Sequence, residues 1–497
     1  MGPPGAPPLS PYDLQKQVNR LTGWSVWLYP RTRTDAAQRC ATDRNDDNDD
    51  EEVHVSSTAI VNPAVERSAV HKISVRLVPF VALMFFINFL DRTAIGYAGP
   101  NGMEQDLGMT AAQFGLASGV FFIGYIILEI PSNLALHRFG ARVWLSRIML
   151  TWGIVSILFT WVQSSGQLYA LRVLLGVAEA GFFPGAILFL SMLVPSQHRS
   201  RTLMLFYLAQ PLTNVIGAPL ASWLIQHHGV LGLEGWRFMY LCVGAPAIVV
   251  GAIGFFYLKD RPEDCSWLTA EEVACLRVQL DAEAETNSGD RSERNVRAAL
   301  TSGRVWVLSL IYFGFIYGLY ALGFFLPTII KGFGAQYGTK LTILQQGLVT
   351  AVPYVFAALA MYLWSRDVTR RGLRSWHIAV PAAIGGVSIP VALFVGSPVG
   401  AIGVISVTAM SIFAVLPNFW TLPTQFLTGA PAAAGVALIN TIGNIAGFSA
   451  GYITGAIHDW TGGYVVPMVV VGGFMILSAV LMVLLARRGR VHTADAS

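Results

Sequence analysis

The chain has 497 residues, 54% of them hydrophobic and 12% charged, with a formal net charge of +4. A soluble domain carries about 25% charged residues, so this chain has too few polar groups to cover a water-facing surface. A soluble enzyme, a disordered scaffold and a nucleic-acid binder are excluded. Four cysteines, Cys40, Cys242, Cys265 and Cys275, form no CxxC and no metal-ligand spacing and read as free thiols.

Residues 1–72 open Pro-rich from Met1 to Pro8, hold an acidic run from Asn45 to Glu52 and contain no apolar core long enough for a signal peptide. They read as a disordered cytoplasmic tail, or as sequence ahead of a translation start near Val53 or Val55. From Val75 the chain is a series of apolar stretches of about 20 residues, the length that crosses ~30 Å of hydrocarbon as a helix. Helices are predicted near 75–98, 112–135, 143–163, 167–193, 203–226 and 236–257. A polar, charged stretch, 258–302, separates them from helices near 304–330, 343–365, 376–396, 398–419, 432–457 and 464–486. The expected organisation is a six-helix bundle over 73–258, a cytoplasmic loop over 259–302, a second six-helix bundle over 303–487 and a cytoplasmic tail over 488–497.

Topology follows from the cations of the short loops. Alternate loops carry Arg138 and Arg142, then Arg199 and Arg201, then Arg366, Arg370, Arg371 and Arg374, and the C-terminal end has Arg487, Arg488 and Arg490. The other loops hold only Arg237, Lys331 and Lys340, and the first of them is acidic, with Glu104 and Asp106. Both termini and the central loop are therefore expected in the cytoplasm. Arg138-Phe139-Gly140-Ala141-Arg142 and Arg370-Arg371-Gly372-Leu373-Arg374 both read R-x-G-x-R after the second helix of each half. Two such halves about an axis along the membrane normal are a transporter design, with the substrate path between them.

Ionisable groups within the hydrocarbon cost several kcal/mol and need a partner, water or substrate. Asp91 and Arg92 end the apolar run Leu77–Leu90, and Arg172 and Glu179 lie in the fourth helix. Arg172 and Glu179 are seven apart, so they face one way about 10 Å apart along the axis. A guanidinium there is a fork for a carboxylate. Substrate arriving on an Arg removes its charge from a neighbouring Glu, which then holds a proton more tightly; this couples proton to anion. The alternative is an ion-pair network that only holds the bundle together. Asp91 and Arg92 point about 100° apart; Arg92 is expected in the cavity, and Asp91 joins it through water or pairs with Arg172. Gln210, Asn440 and Asn444 could bond substrate or neighbouring helices, Trp420 could be a cavity wall or an interfacial anchor, and Tyr125 core or cavity. Glu129 is expected to brace the Arg138 loop. No phosphate loop, HExxH, GxSxG or GxGxxG stands in a plausible setting, and His227-His228 has no Cys or carboxylate at ligand spacing.

Several strings resemble the anion:cation symporter branch of the major facilitator superfamily, over about Val75 to Arg490. They are Asn88-Phe89-Leu90-Asp91-Arg92, Phe122-Ile123-Gly124-Tyr125 with Glu129-Ile130-Pro131-Ser132-Asn133, Arg172-Val173-Leu174-Leu175-Gly176 with Glu179-Ala180-Gly181-Phe182-Phe183-Pro184-Gly185, Phe419-Trp420-Thr421-Leu422-Pro423-Thr424 and Gly435-Val436-Ala437-Leu438-Ile439-Asn440. That branch includes bacterial tartrate, phthalate, hydroxyphenylacetate, nicotinate and sugar-acid permeases. The resemblance implies an all-α membrane protein of twelve helices in two six-helix bundles. It also implies a rocker-type cycle and proton-coupled uptake of a small organic anion across a bacterial inner membrane, by a monomer with no cofactor beyond the proton gradient. It implies Asp91 and Glu179 as proton carriers, and Arg92 and Arg172 as carboxylate-binding and coupling residues. Tyr125, Gln210, Trp420 and Asn440 would line the cavity, which Asn444, one turn from Asn440, is expected to join, and Arg138, Arg142, Arg370 and Arg374 would gate. Departures are His137 where the loop signature has Asp, leaving Glu129 as its candidate acid, and Ala450-Gly451-Tyr452 in place of Gly-Pro-Tyr. A drug:proton antiporter has little use for Arg92 and Arg172 together, and Gly217-Ala218-Pro219 only partly matches its fifth-helix motif. A carboxylate receptor would need a domain-sized partner surface that 258–302 does not show. A membrane enzyme would need a nucleophile or metal set.

Overall fold

The computed structural model describes residues 63–288, 300–423 and 429–494. Among these residues twelve helical spans are long and apolar enough to cross a membrane, six before the polar central segment and six after it. Spans 2, 3, 4, 6, 7, 8, 9, 10 and 12 start within two residues of the expected positions, at Ala111, Ala141, Ser165, Gly235, Gly303, Ile343, Trp376, Pro398 and Val465. Thr110, Ser164, Thr342 and Ser397 cap spans 2, 4, 8 and 10 with side-chain oxygens that accept from the first-turn N–H groups, which marks those starts in the sequence.

The ends differ more. The Pro-rich and acidic parts of the N-terminal tail lie outside the described residues, whereas residues 63–72, read as the end of that tail, form the first turns of span 1, a helix running Pro63–Ala98. Its early buried residues, Ala69, Val70 and Ile73, face inward at helical spacing, but Arg67, His71 and Lys72 dilute them below a membrane-like average. The central segment, expected as a loop, holds a helix, Ala270–Ser288, that packs on span 1; residues 289–299 lie outside the described set. The last helix continues to Ala494, past the expected tail boundary.

Two spans are broken where the sequence looks continuous. Span 4 is Ser165–Glu179 followed by Phe182–Leu193, with Gly181 between them at φ 81°. The Ala180 carbonyl freed by the break accepts a hydrogen bond from the Ser132 hydroxyl at 2.6 Å. The break leaves Glu179 as the last residue of its helix. Span 5 is Ser196–Tyr207 followed by Ala209–Gln226, with Pro211 removing a backbone donor at the joint.

The first six spans pack mainly among themselves, as 1 on 5 and 6, 2 on 4 and 3 on 6; the last six do likewise, as 7 on 11 and 12, 8 on 10 and 9 on 12. Three pairings cross between the two bundles: span 2 with 11, span 5 with 8 and span 1 with 7. Spans 2 and 11 approach so closely that a Cβ added to Gly115 would stand 2.2 Å from the Gly451 carbonyl oxygen. That contact requires glycine. The repeated R-x-G-x-R loops share a backbone as well as a sequence: Gly140 and Gly372 end spans 2 and 8 at φ 85° and 74°.

Candidate functional site

A chamber of about 60 Å³ lies between the bundles. Helical spacing presents its walls: Phe85, Phe89 and Arg92 from span 1, Tyr312, Ile316 and Tyr320 from span 7, and Asn440, Gly443 and Asn444 from span 11. Tyr125, Gln210 and Trp420 complete it, so six of the residues expected in the cavity or on the substrate (Arg92, Tyr125, Gln210, Trp420, Asn440 and Asn444) meet in one place. The sequence places span 7 but none of its residues in the chamber, although Tyr312 and Tyr320 are two turns apart on one face and flank Ile316; that periodicity is the available signal.

Arg92 is the chamber's lone charged wall residue among the described residues. Its Nη1 donates to the Tyr320 hydroxyl at 2.9 Å, and its Nη2 forms a salt bridge with Glu179 Oε1. The pair lies away from solvent, with Arg92 7% and Glu179 0% exposed. One guanidinium thus touches an acid of its own bundle and a hydroxyl of the other. Both arginines lie against the Phe121 ring, which is 4.9 Å from the Arg92 guanidinium carbon and 5.3 Å from that of Arg172.

Arg172 does not reach the chamber. It is fully buried, and its Nε and Nη2 donate to the carbonyls of Ala117 and Ser118 in span 2, at 3.0 and 3.2 Å. The expected fork for a substrate carboxylate is, in this arrangement, a tie between spans 2 and 4, because the Ala117 and Ser118 carbonyls take its donors. Asp91 forms a hydrogen bond with neither arginine. Its Oδ1 accepts from the Ser156 hydroxyl of span 3 at 2.5 Å, and the turn from Arg92 aims it away from the chamber.

A vestibule of about 950 Å³ adjoins the chamber and shares Phe183, Tyr207, Trp420 and Asn440 with it. Its rim includes Arg199 and Thr369, so it lies toward the end of the molecule that bears the arginine-rich loops. The other end is closed. Asp459, in the last turn of span 11, accepts from the backbone N–H groups of Ala111 and Ala112 at 3.1 and 2.9 Å, and the Lys331 ammonium donates to the Pro100 carbonyl.

Glu129 corrects a second expectation. It lines the vestibule and accepts hydrogen bonds from the Asn440 and Asn444 amides, the latter at 3.3 Å; it does not brace the loop after span 2. The acid at that loop is Asp260, whose Oδ1 accepts from the Arg142 backbone N–H at 2.8 Å. Asp260 is 118 positions from Arg142 in the chain, so no local signal points to it. The side chains of Arg138, Arg142, Arg370 and Arg374 are exposed. Arg138 lies over the ring of its neighbour Phe139, and the Arg374 backbone N–H donates to His377 Nδ1 at 2.9 Å.

Two helical bundles around a polar chamber that opens toward one end define a membrane transporter. Residues 81–451 match the Major Facilitator Superfamily. The chain is 42% identical over 428 residues to the "Putative tartrate transporter" of Agrobacterium vitis, covering 86% of this chain and 93% of that one. It is 36% identical over 397 residues to the "Quinolone resistance transporter" of Acinetobacter baumannii, covering 80% and 90%. Its fold is similar to the crystal structure of a bacterial homologue of the human lysosomal transporter Spinster, with a TM-score of 0.65 over 83% of this chain and 97% of that one, at 19% identity. The chain belongs to the Major Facilitator Superfamily; it is a multi-pass integral membrane transporter and not an enzyme.

Proposed function

We propose that this protein imports a small organic carboxylate (a hydroxy diacid, an aromatic acid or a sugar acid) by proton symport. The two bundles, over 73–258 and 303–487, would rock about the chamber in a bacterial inner membrane, with both termini cytoplasmic and a monomer as the working unit. The observation that carries this reading is Arg92, a buried guanidinium in the chamber wall bonded to Glu179 in one bundle and Tyr320 in the other. A substrate carboxylate can replace Glu179 on Nη2, at the geometry a guanidinium offers any carboxylate. Glu179, left buried without its cation, takes a proton. Movement of one bundle against the other would break the bond to Tyr320 unless the substrate spans it. Asp91, one residue from Arg92 and held by Ser156, is the second proton carrier of this reading. A monoanion entering against an inside-negative potential costs ~2.3 kcal/mol per 100 mV; one proton cancels this and two reverse it. The tartrate in the name of the Agrobacterium relative supports the carboxylate class.

The test is uptake of labelled carboxylates into proteoliposomes under an imposed pH gradient. Arg92→Ala is expected to lower uptake ~100-fold or more, the scale of losing one partner of a buried ion pair, with normal expression. Undiminished uptake by Arg92→Ala defeats the proposal. A drug:proton antiporter is the second reading, favoured by the name of the Acinetobacter relative. It predicts proton-driven efflux of a fluorescent quinolone from the same vesicles and indifference to carboxylates.

A further inference from the structure

We infer that the lipid-facing edge of spans 2 and 3, at the end that bears the arginine-rich loops, binds an anionic phospholipid through its phosphate, with Arg147 as the anchor. This holds whatever the chamber carries. Val143, Arg147, Ile154 and Leu158 of span 3, which runs Ala141–Trp161, recur at i, i+4, i+11 and i+15 and so share one helix face. The three apolar members are exposed, so in the bilayer this face meets lipid. Arg147 is the one charge among the four, half-buried and about 9 Å inside the span. Its Nε is buried without a hydrogen-bond partner, and among the described residues no carboxylate pairs with it. A guanidinium left among acyl chains is costly, whereas one at this depth reaches the headgroup layer, where phosphate matches its fork of donors.

The surroundings hold Arg147 ready. Its guanidinium carbon lies 4.0 Å from the centre of the Trp144 ring. That indole is fixed, because its Nε1 donates to the Ser132 hydroxyl of span 2 at 3.0 Å. The same ring stacks on the exposed Phe139 at 5.5 Å, and Arg138 lies over Phe139, so two guanidiniums share one aromatic pair. The acid at this edge, Asp260, accepts from the Arg142 N–H and is flanked in the chain by Lys259 and Arg261. The balance of charge is positive and favours a headgroup with no cation of its own. The fold does not require a cation here. In the second half Trp376 follows its turn glycine as Trp144 does, but a buried alanine, Ala379, stands at the position of Arg147.

Native mass spectrometry of the purified full chain tests this, with dioleoylphosphatidylglycerol and dioleoylphosphatidylcholine added singly at equal concentration. The natural protein is expected to bind the glycerol lipid about tenfold tighter than the choline lipid, the scale of one charge-assisted hydrogen bond. Arg147→Met suits a lipid-facing position, so it is expected to fold, and it should bring that ratio to within about twofold. Lys340→Gln, which removes an exposed cation from the opposite end, should leave the ratio unchanged. Glycerol 3-phosphate, the same phosphate without acyl chains, is expected not to displace the bound lipid. A ratio near one in the natural protein, an unchanged ratio in Arg147→Met or an equal loss in Lys340→Gln overturns the site. Displacement by glycerol 3-phosphate overturns its lipid occupant. If Arg147→Met is not recovered folded, Arg147→Gln replaces it, and failing both the natural ratio decides.

Discussion

Arg92 and Arg172 are both buried guanidiniums in adjacent helices, and burial leaves each with few ways to satisfy its donors. Arg92 spends them on a carboxylate and a hydroxyl that substrate can replace. Arg172 gives its Nε and Nη2 to backbone carbonyls of span 2, which do not leave, and its buried Nη1 has no hydrogen-bond partner. Arg172→Gln is therefore expected to destabilise the purified protein by ~2 kcal/mol, read as a lower melting temperature, because at least one buried carbonyl loses a charged donor. Glu179→Gln is expected to abolish accumulation driven by a pH gradient yet to retain counterflow exchange of the same substrate. The amide cannot carry the proton but still fills the space beside Arg92. Proton-driven accumulation by Glu179→Gln at the natural level would remove Glu179 from the coupling step. Residue types along the chain were enough to pick out Asp91, Arg92, Arg172 and Glu179, because charge in hydrocarbon is rare. Which arginine faces the chamber was not legible, since backbone carbonyls of another helix, those of Ala117 and Ser118, hold Arg172.

Elements behave according to what holds their ends. The helix Ala270–Ser288 is anchored near its start by Glu272, which accepts from Ser68 at 2.7 Å and from Lys72 at 2.9 Å in the first turns of span 1. Burial pushes the Glu272 carboxyl up, but the bonds from Lys72 and Ser68 outweigh it and hold the group down at about 2, from an ordinary 4.5. A depressed acid contributes its stability above the ordinary value and loses it as pH falls toward the depressed one. The contact is thus expected to be intact at pH 5 and above and to weaken progressively from about 4.5 to 2. Hydrogen exchange of 270–283 measured across that window checks this, and Glu272→Gln should show the loosened pattern at neutral pH. At the closed end, Asp459 joins span 11 to the first N–H groups of span 2. Asp459→Asn weakens that join, because a neutral amide is a poorer acceptor for a helix N-terminus. A cysteine placed at Ala112 is expected to react faster with a maleimide in the Asp459→Asn background; an unchanged rate means that Asp459 does not hold this end closed. The central helix is not apparent in the sequence because its apolar stripe is thin, with Leu276 fully buried among many charged residues. Its anchors are ion pairs to distant residues, and a hydropathy scan does not register them.

For the whole molecule, the vestibule is open at the end that carries the arginine-rich loops, and the far end is closed by glycine contacts, Asp459 and Lys331. If those loops face the cytoplasm, a cysteine at Thr369 should be labelled by a membrane-impermeant maleimide in inside-out vesicles and spared in intact cells. The reverse pattern would invert the topology. Apolar length, loop charge and repeated turn residues settle the number of spans and the two-bundle fold from the chain alone, because the bilayer acts on each segment locally. The site has no such local author. Glu129 meets Asn440 from 311 positions away, Arg92 meets Tyr320 from 228, and Asp260 takes the place at the loop that the sequence offered to Glu129. Each of these depends on which side chain fills the space between helices that are neighbours only after packing, and that competition for space has no trace in the linear order of residues.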